Sequence, residues 1–134
     1  MLSLTDRTYR IRIITESTGP IDAELIIDKN PSTVEAVLKA LPIDSVAMTW
    51  GEEVYFSTPV SVGLENPQEV VEKGDIAYWP PGRALCIFFG PTPASRTPDE
   101  IRPASPVNVI GRVLGNPKVF RKVKDGERIR IEKV

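Results

Sequence analysis

The chain has 134 residues, with 17 Lys and Arg against 18 Asp and Glu, and no histidine. That length holds one domain around a single hydrophobic core without disulfides or metals, and charges that nearly cancel point to neither nucleic acid nor an anionic membrane as a partner. Lack of histidine removes the commonest general base and any Cys/His cluster for zinc, so no metal and no cofactor is expected.

At the start, Met1-Leu2-Ser3-Leu4-Thr5-Asp6-Arg7 lacks the charged-then-apolar order of a signal peptide. No stretch reaches the roughly 20 apolar residues that span a bilayer, so a cytoplasmic chain with no membrane partner is expected. Tyr9-Arg10-Ile11-Arg12-Ile13 alternates at period two, and Ala23-Glu24-Leu25-Ile26-Ile27 continues the pattern after the Thr18-Gly19-Pro20 turn, which predicts a hairpin. One clear helix follows. Pro31 suits its first turn, Ser32 and Glu35 have capping-box spacing, and Val34, Val37, Leu38 and Leu41 form one apolar stripe before Pro42 ends it.

Val46 to Trp50 and Val54 to Thr58 are predicted strands joined by Gly51-Glu52-Glu53. Gly74 opens another, Ile76 to Trp79, which turns at Pro80-Pro81-Gly82 and returns as Ala84 to Phe89. The return strand is nearly continuously apolar and is expected to be buried on both faces, as in the wall of a closed barrel. Its Cys86 is the one cysteine of the chain and reads as a small core residue in a reducing cytosol. From Gly90 to Pro106 the prolines at 91, 93, 98, 103 and 106 predict a long surface loop, of a length that often carries function. A strand from Val107 to Leu114, a short helical segment opened by Asn116-Pro117, a turn at Asp125-Gly126 and a strand Arg128-Ile129-Arg130-Ile131 complete the chain. There is no internal repeat, linker or domain boundary.

Four of these stretches, in order, carry a resemblance. They are Gly19-Pro20-Ile21-Asp22-Ala23-Glu24-Leu25 running into Pro31-Ser32-Thr33-Val34-Glu35, then Gly74-Asp75-Ile76-Ala77-Tyr78, then Leu85-Cys86-Ile87-Phe88-Phe89, and Val109-Ile110-Gly111-Arg112-Val113 with Val119-Phe120-Arg121-Lys122-Val123 behind it. The series resembles the strand and helix framework of the cyclophilins. Its short intervals, notably between Thr58 and Gly74, and the stretch from Tyr78 to Pro91 resemble compact prokaryotic cyclophilin-like proteins of uncharacterised function more than true isomerases. The resemblance implies a mainly β fold over residues 1–134: a small closed barrel, largely antiparallel, capped by one or two short helices.

Prolyl isomerisation works against a rotational barrier of about 18 to 20 kcal/mol. It needs an apolar pocket for the proline ring and a donor that draws the amide nitrogen out of conjugation. In cyclophilins an arginine is that donor, a glutamine and a histidine assist, and aromatic and methionine side chains build the pocket. By resemblance Phe89 matches a pocket phenylalanine. The arginine belongs in Val46 to Trp50, which contains no basic residue; the histidine position falls on Val107; the glutamine falls near Ser57 or Thr58. Loss of one preorganised donor costs on the order of 100-fold to 1,000-fold in rate, so isomerase activity is expected to be weak unless Arg83, Arg96 or Arg102 substitutes from a loop.

A candidate groove is drawn from Trp50, Glu53, Tyr55, Phe56, Tyr78, Trp79, Arg83 and Phe89. Trp50, Tyr55 and Phe56 flank the Gly-Glu-Glu turn and read either as barrel packing or as an aromatic wall with a polar edge. Tyr78 and Trp79 read equally as a packing clamp or a groove mouth, and by alternation only one of Phe88 and Phe89 faces a given side. Glu52, Glu53 and Arg83 most simply read as solvated turn residues. The leading expectation is a module that binds a peptide segment or small molecule without the usual isomerase residues. The alternatives are a prolyl isomerase with a rearranged site, and an enzyme acting on a small amide or carboxylate metabolite with Glu53 as its acid or base.

Overall fold

A computed structural model describes residues 7–134; Met1 to Asp6, read above for its lack of signal-peptide order, lies outside the described residues. The predicted hairpin forms as β1 (Thr8–Thr15) and β2 (Gly19–Ile26), followed by helix α1 (Pro31–Ala40). Then come β3 (Ile43–Val46), β4 (Met48–Thr49), β5 (Glu53–Ser57), β6 (Asp75–Trp79), β7 (Ala84–Phe88), β8 (Asn108–Val113) and β9 (Arg128–Lys133). Two 3₁₀ turns, Pro80–Gly82 and Pro117–Lys122, complete the regular structure.

Among the described residues nine strands form one sheet in the order β3-β9-β1-β2-β8-β6-β7-β5-β4, with antiparallel pairing throughout. The two ends of that order are consecutive in sequence, so the sheet curls into a nearly closed barrel. The strand predicted at Val46 to Trp50 is instead two short ones. Residues 43–46 pair with β9 and residues 48–49 pair with β5, and Ala47 between them bonds Glu127 and Gly126 through its own N–H and carbonyl. This change of partner within seven residues closes the barrel.

Period-two alternation sends one set of side chains inward. Ile11, Ile13, Leu25, Val54, Phe56, Ile76, Tyr78, Leu85, Ile87 and Ile110 meet there with Phe120 and Val123. Helix α1 seals one end with Val34 and Val37, both fully buried, each contributing about 1.5 to 3 kcal/mol of transfer free energy. The Ser32/Glu35 capping box does not form. Asn30 is the N-cap residue, but its side chain does not cap the helix: it donates to the Val109 carbonyl and accepts from the Asn66 N–H. Glu65, from the β5–β6 connection, accepts the Ser32 and Thr33 N–H bonds at 3.1 and 3.0 Å. Glu35 instead pairs with Lys39 one turn on.

Strands β5 to β8 have a second buried face. Ala77, Cys86, Phe88, Val107 and Val109 form a smaller core with Val71 and Ile101, covered from outside by the connection between β7 and β8. β7 is buried at all five positions, as its continuous apolar run predicts. Gly111 permits the tightest approach in the barrel wall. It follows a bulge between β8 and β6, and a Cβ there would stand 2.1 Å from the Glu24 carbonyl oxygen of β2.

Candidate functional site

The proline-rich connection after β7 is not a free loop. Val71 and Ile101 bridge, as do Gln68 and Val107, while Glu52 donates its N–H to the Pro91 carbonyl. Thr92, Ser95 and Arg102 hydrogen-bond one another, and Arg102 grips Glu100 with two nitrogens at 3.1 and 3.0 Å. Gly51 at φ 60 lets the β4–β5 turn lie against this connection; a Cβ there would meet Pro93 Cδ at 2.8 Å. The connection is thereby pinned over the outer face of the barrel.

Between it and the sheet lies a cavity of about 260 Å³, lined by Trp50, Glu53, Tyr55, Trp79, Cys86, Pro103, Ala104 and Val107. Each strand contributes by parity. Tyr55 stands opposite Cys86 across the β5–β7 ladder, and Ala77 and Trp79 share the outward face of β6. The Trp79 ring lies over Gly82, where a Cβ would come within 2.6 Å of it, and its Nε1 donates to Ser105 Oγ at 2.6 Å. Two contacts therefore fix the ring.

Of the eight groove residues expected from sequence, Trp50, Glu53, Tyr55 and Trp79 come together here. Phe56, Tyr78 and Phe89 do not: each is displaced by one strand position onto the inward face and packs in the barrel core, where the Tyr78 hydroxyl donates to the Val60 carbonyl at 2.7 Å. Of the phenylalanine pair, Phe88 faces outward and Phe89 inward. Arg83 ends the Pro80–Gly82 turn in a left-handed conformation at φ 47, exposed and away from the cavity. Cys86, Pro103, Ala104 and Val107 were not expected as lining residues, although Val107 is where the resemblance places the isomerase histidine.

The adjacent glutamates have opposite fates. Glu52 points outward, where Arg121 binds it at 2.8 and 2.9 Å and holds its carboxyl below the ordinary range. Glu53 opens β5 with its side chain under the pinned connection, so it is not the solvated turn residue its sequence context indicated. It is 5% exposed. Burial pushes its carboxyl up to about 7, only partly opposed by the Cys86 thiol beside it. Burial and the Glu53 carboxylate push that thiol well above its ordinary range, so Cys86 stays neutral and unreactive. Among the described residues no N–H or O–H group bonds the Glu53 carboxyl, yet no fully enclosed side-chain polar atom lacks a partner, so its oxygens open onto the cavity.

No lysine or arginine of the described residues lines the cavity. Arg102 is engaged with Glu100, and Arg96 is exposed with its backbone N–H on the same carboxylate. None of the three loop arginines lines this cavity. Among the described residues no cluster of His, Cys, Asp and Glu is arranged to hold a metal ion, and no helix is long and apolar enough to cross a membrane.

A family model described as cyclophilin-like matches residues 9–132. The solution structure of a hypothetical protein from Archaeoglobus fulgidus is similar to this chain at 48% identity and a TM-score of 0.81, covering 96% of each chain. No curated protein matches in sequence.

Proposed function

The chain belongs to the cyclophilin-like family, and we propose that it is a binding module whose outer-face cavity takes a small molecule or one side chain of a peptide segment. The observation that carries this reading is Glu53: a buried carboxyl group that lines an aromatic cavity and that, among the described residues, meets no N–H or O–H donor, only the weak Cys86 thiol. Buried polar groups are as a rule satisfied, so a group held open at a fixed place between Trp50, Tyr55 and Trp79 is suited to a ligand. The cavity lies just under the roughly 300 to 1,000 Å³ of common small-molecule sites, which favours a compact ligand over a long peptide.

A prolyl isomerase is a weaker reading, because the apolar wall is present without an arginine to polarise the amide. A protease-coupled isomerisation assay on an Ala-Pro peptide is expected to show little acceleration; acceleration at the level of ordinary cyclophilins, abolished by Arg83→Ala or Arg102→Ala, would overturn the preference. The proton affinity of Glu53 near neutrality favours a second reading, general acid–base work on a small amide or carboxylate metabolite. Turnover of such compounds, abolished by Glu53→Gln, would establish it in place of simple binding.

Both tryptophans of the chain line the cavity, so intrinsic fluorescence reports on it directly. A screen of small fragments should give saturable changes that Tyr55→Ala weakens. Saturable binding that leaves the fluorescence unchanged would contradict the proposed site.

A further inference from the structure

The cavity combines one carboxyl group with three aromatic side chains, the Cys86 thiol and an apolar remainder, Pro103, Ala104 and Val107. When ionised, Glu53 has no counter-ion among the described residues. Arg121 is committed to Glu52, Arg102 to Glu100, and no cation of the described residues lines the space. A buried charge without a partner is costly, and a ligand that brings the opposite charge relieves that cost. Aromatic rings carry negative faces that attract cations, most strongly when the cation is poorly hydrated. A metal ion does not suit the site, since hard cations require several oxygen ligands and one carboxylate stands here. A guanidinium presents five donors to a single acceptor group. An ammonium nitrogen covered by methyl groups needs no such set, and its apolar surface matches the rest of the wall.

We propose that the cavity binds an alkylated ammonium group, with Glu53 as its counter-ion and Trp50, Tyr55 and Trp79 as the surrounding aromatic wall. This rests on the reading of the cavity as a ligand site. The ammonium group belongs either to a free small molecule or to a methylated lysine of a peptide; the chemistry that recognises it is the same.

The proposal fixes a proton linkage. A bound cation favours ionised Glu53, so binding below about pH 7 releases a proton, and binding above that pH releases none. The other titratable groups facing Glu53 are Tyr55 on β5 and Cys86 on β7; the β4–β5 turn brings Trp50, β6 brings Trp79, and the covering connection brings Pro103, Ala104 and Val107. Burial keeps Cys86 neutral throughout this range, which leaves Glu53 to set the profile.

The test is calorimetric titration of the full chain with choline and with 3,3-dimethylbutan-1-ol, its uncharged isostere. Choline carries a permanent charge, so any pH dependence belongs to the protein. At about one pH unit above 7, choline should bind at least about tenfold more tightly than the alcohol, and its affinity should fall below pH 7, by up to about tenfold per pH unit, until it levels near that of the alcohol, whose own affinity stays level. Glu53→Gln should remove the preference for choline and keep binding of the alcohol. Should that variant fail to fold, the wild-type pH profile decides alone. Equal affinity for the two probes at every pH would overturn the ammonium proposal and leave the ligand site standing; absence of binding by both would overturn the proposal, with the fragment screen deciding the site. Trimethyllysine amide and a trimethyllysine pentapeptide then separate the sources: tighter binding of the peptide supports a peptide-borne group, and equal binding supports a free one.

Discussion

Replacement of Glu53 by glutamine removes one ionisation while keeping the side chain's size. The folded protein holds the Glu53 proton up to about pH 7, against 4.5 for an ordinary glutamate, so the folded state binds this proton more tightly than the unfolded chain does. The resulting stability is fully present below about pH 4.5 and is lost as the pH rises through about 7. At about 1.36 kcal/mol per pH unit, the gap between 4.5 and 7 is worth about 3 kcal/mol. With the side chain only 5% exposed, solvent screening removes little of it. Urea unfolding followed by tryptophan fluorescence, on wild type and Glu53→Gln from about pH 4.5 to about pH 8, measures the difference. The variant should gain on the wild type by about 3 kcal/mol across that range. Any constant offset reflects the amide itself; only the slope belongs to the ionisation. Other carboxylates titrate alike in both proteins and cancel. Parallel curves would refute the assignment of a buried, raised carboxyl at Glu53.

Glu127 behaves in the opposite sense. Although burial raises it, hydrogen bonds from the Ser17 hydroxyl and N–H and from the Lys124 N–H hold its carboxyl down to about 2. Glu127→Gln should therefore cost about 1 kcal/mol at neutral pH, after discounting for its solvent-facing position, with the cost fading as the pH falls from about 4.5 toward 2. Gly111→Ala sets a Cβ 2.1 Å from a backbone oxygen of β2 and should destabilise by more than about 3 kcal/mol in the same urea assay, which an unchanged midpoint would contradict. Gly82→Ala pushes against the Trp79 ring rather than backbone. Because Ser105 holds that ring, the substitution should shift the Trp79 indole N–H resonance more than that of Trp50 and lower the unfolding midpoint; equal shifts of both indoles would speak against the separate anchoring of Trp79.

The barrel was legible where composition restricts a strand to one environment. The unbroken apolar run of β7 fits only a wall buried on both faces, and the alternation of β1 fits only a half-buried strand. Parity on doubly buried strands was not legible, because Tyr55 and Phe56, Tyr78 and Trp79, or Phe88 and Phe89 are apolar on either side, and only the tertiary position of the covering connection decides which face is the cavity. The helix was found by its stripe, yet its cap comes from Glu65, which the sequence places 32 residues beyond Thr33; local spacing carries no sign of such a partner. Glu53 was singled out by its place beside aromatics, but its burial depends on Pro103 to Val107 lying across β5, a contact made through long-range packing. The break at Ala47 likewise follows from the exchange of one neighbouring strand for another at the barrel's closure.

The central claim is that the outer-face cavity is a ligand site. Soaking crystals of the protein with a set of small neutral, cationic and anionic fragments tests it most directly, since the place of binding is seen rather than inferred. The account predicts electron density for a fragment in contact with Trp50, Tyr55 and Trp79 and within hydrogen-bond or ion-pair distance of the Glu53 carboxyl. Fragments bound only elsewhere on the barrel, with this cavity left free at saturating concentrations, would contradict it.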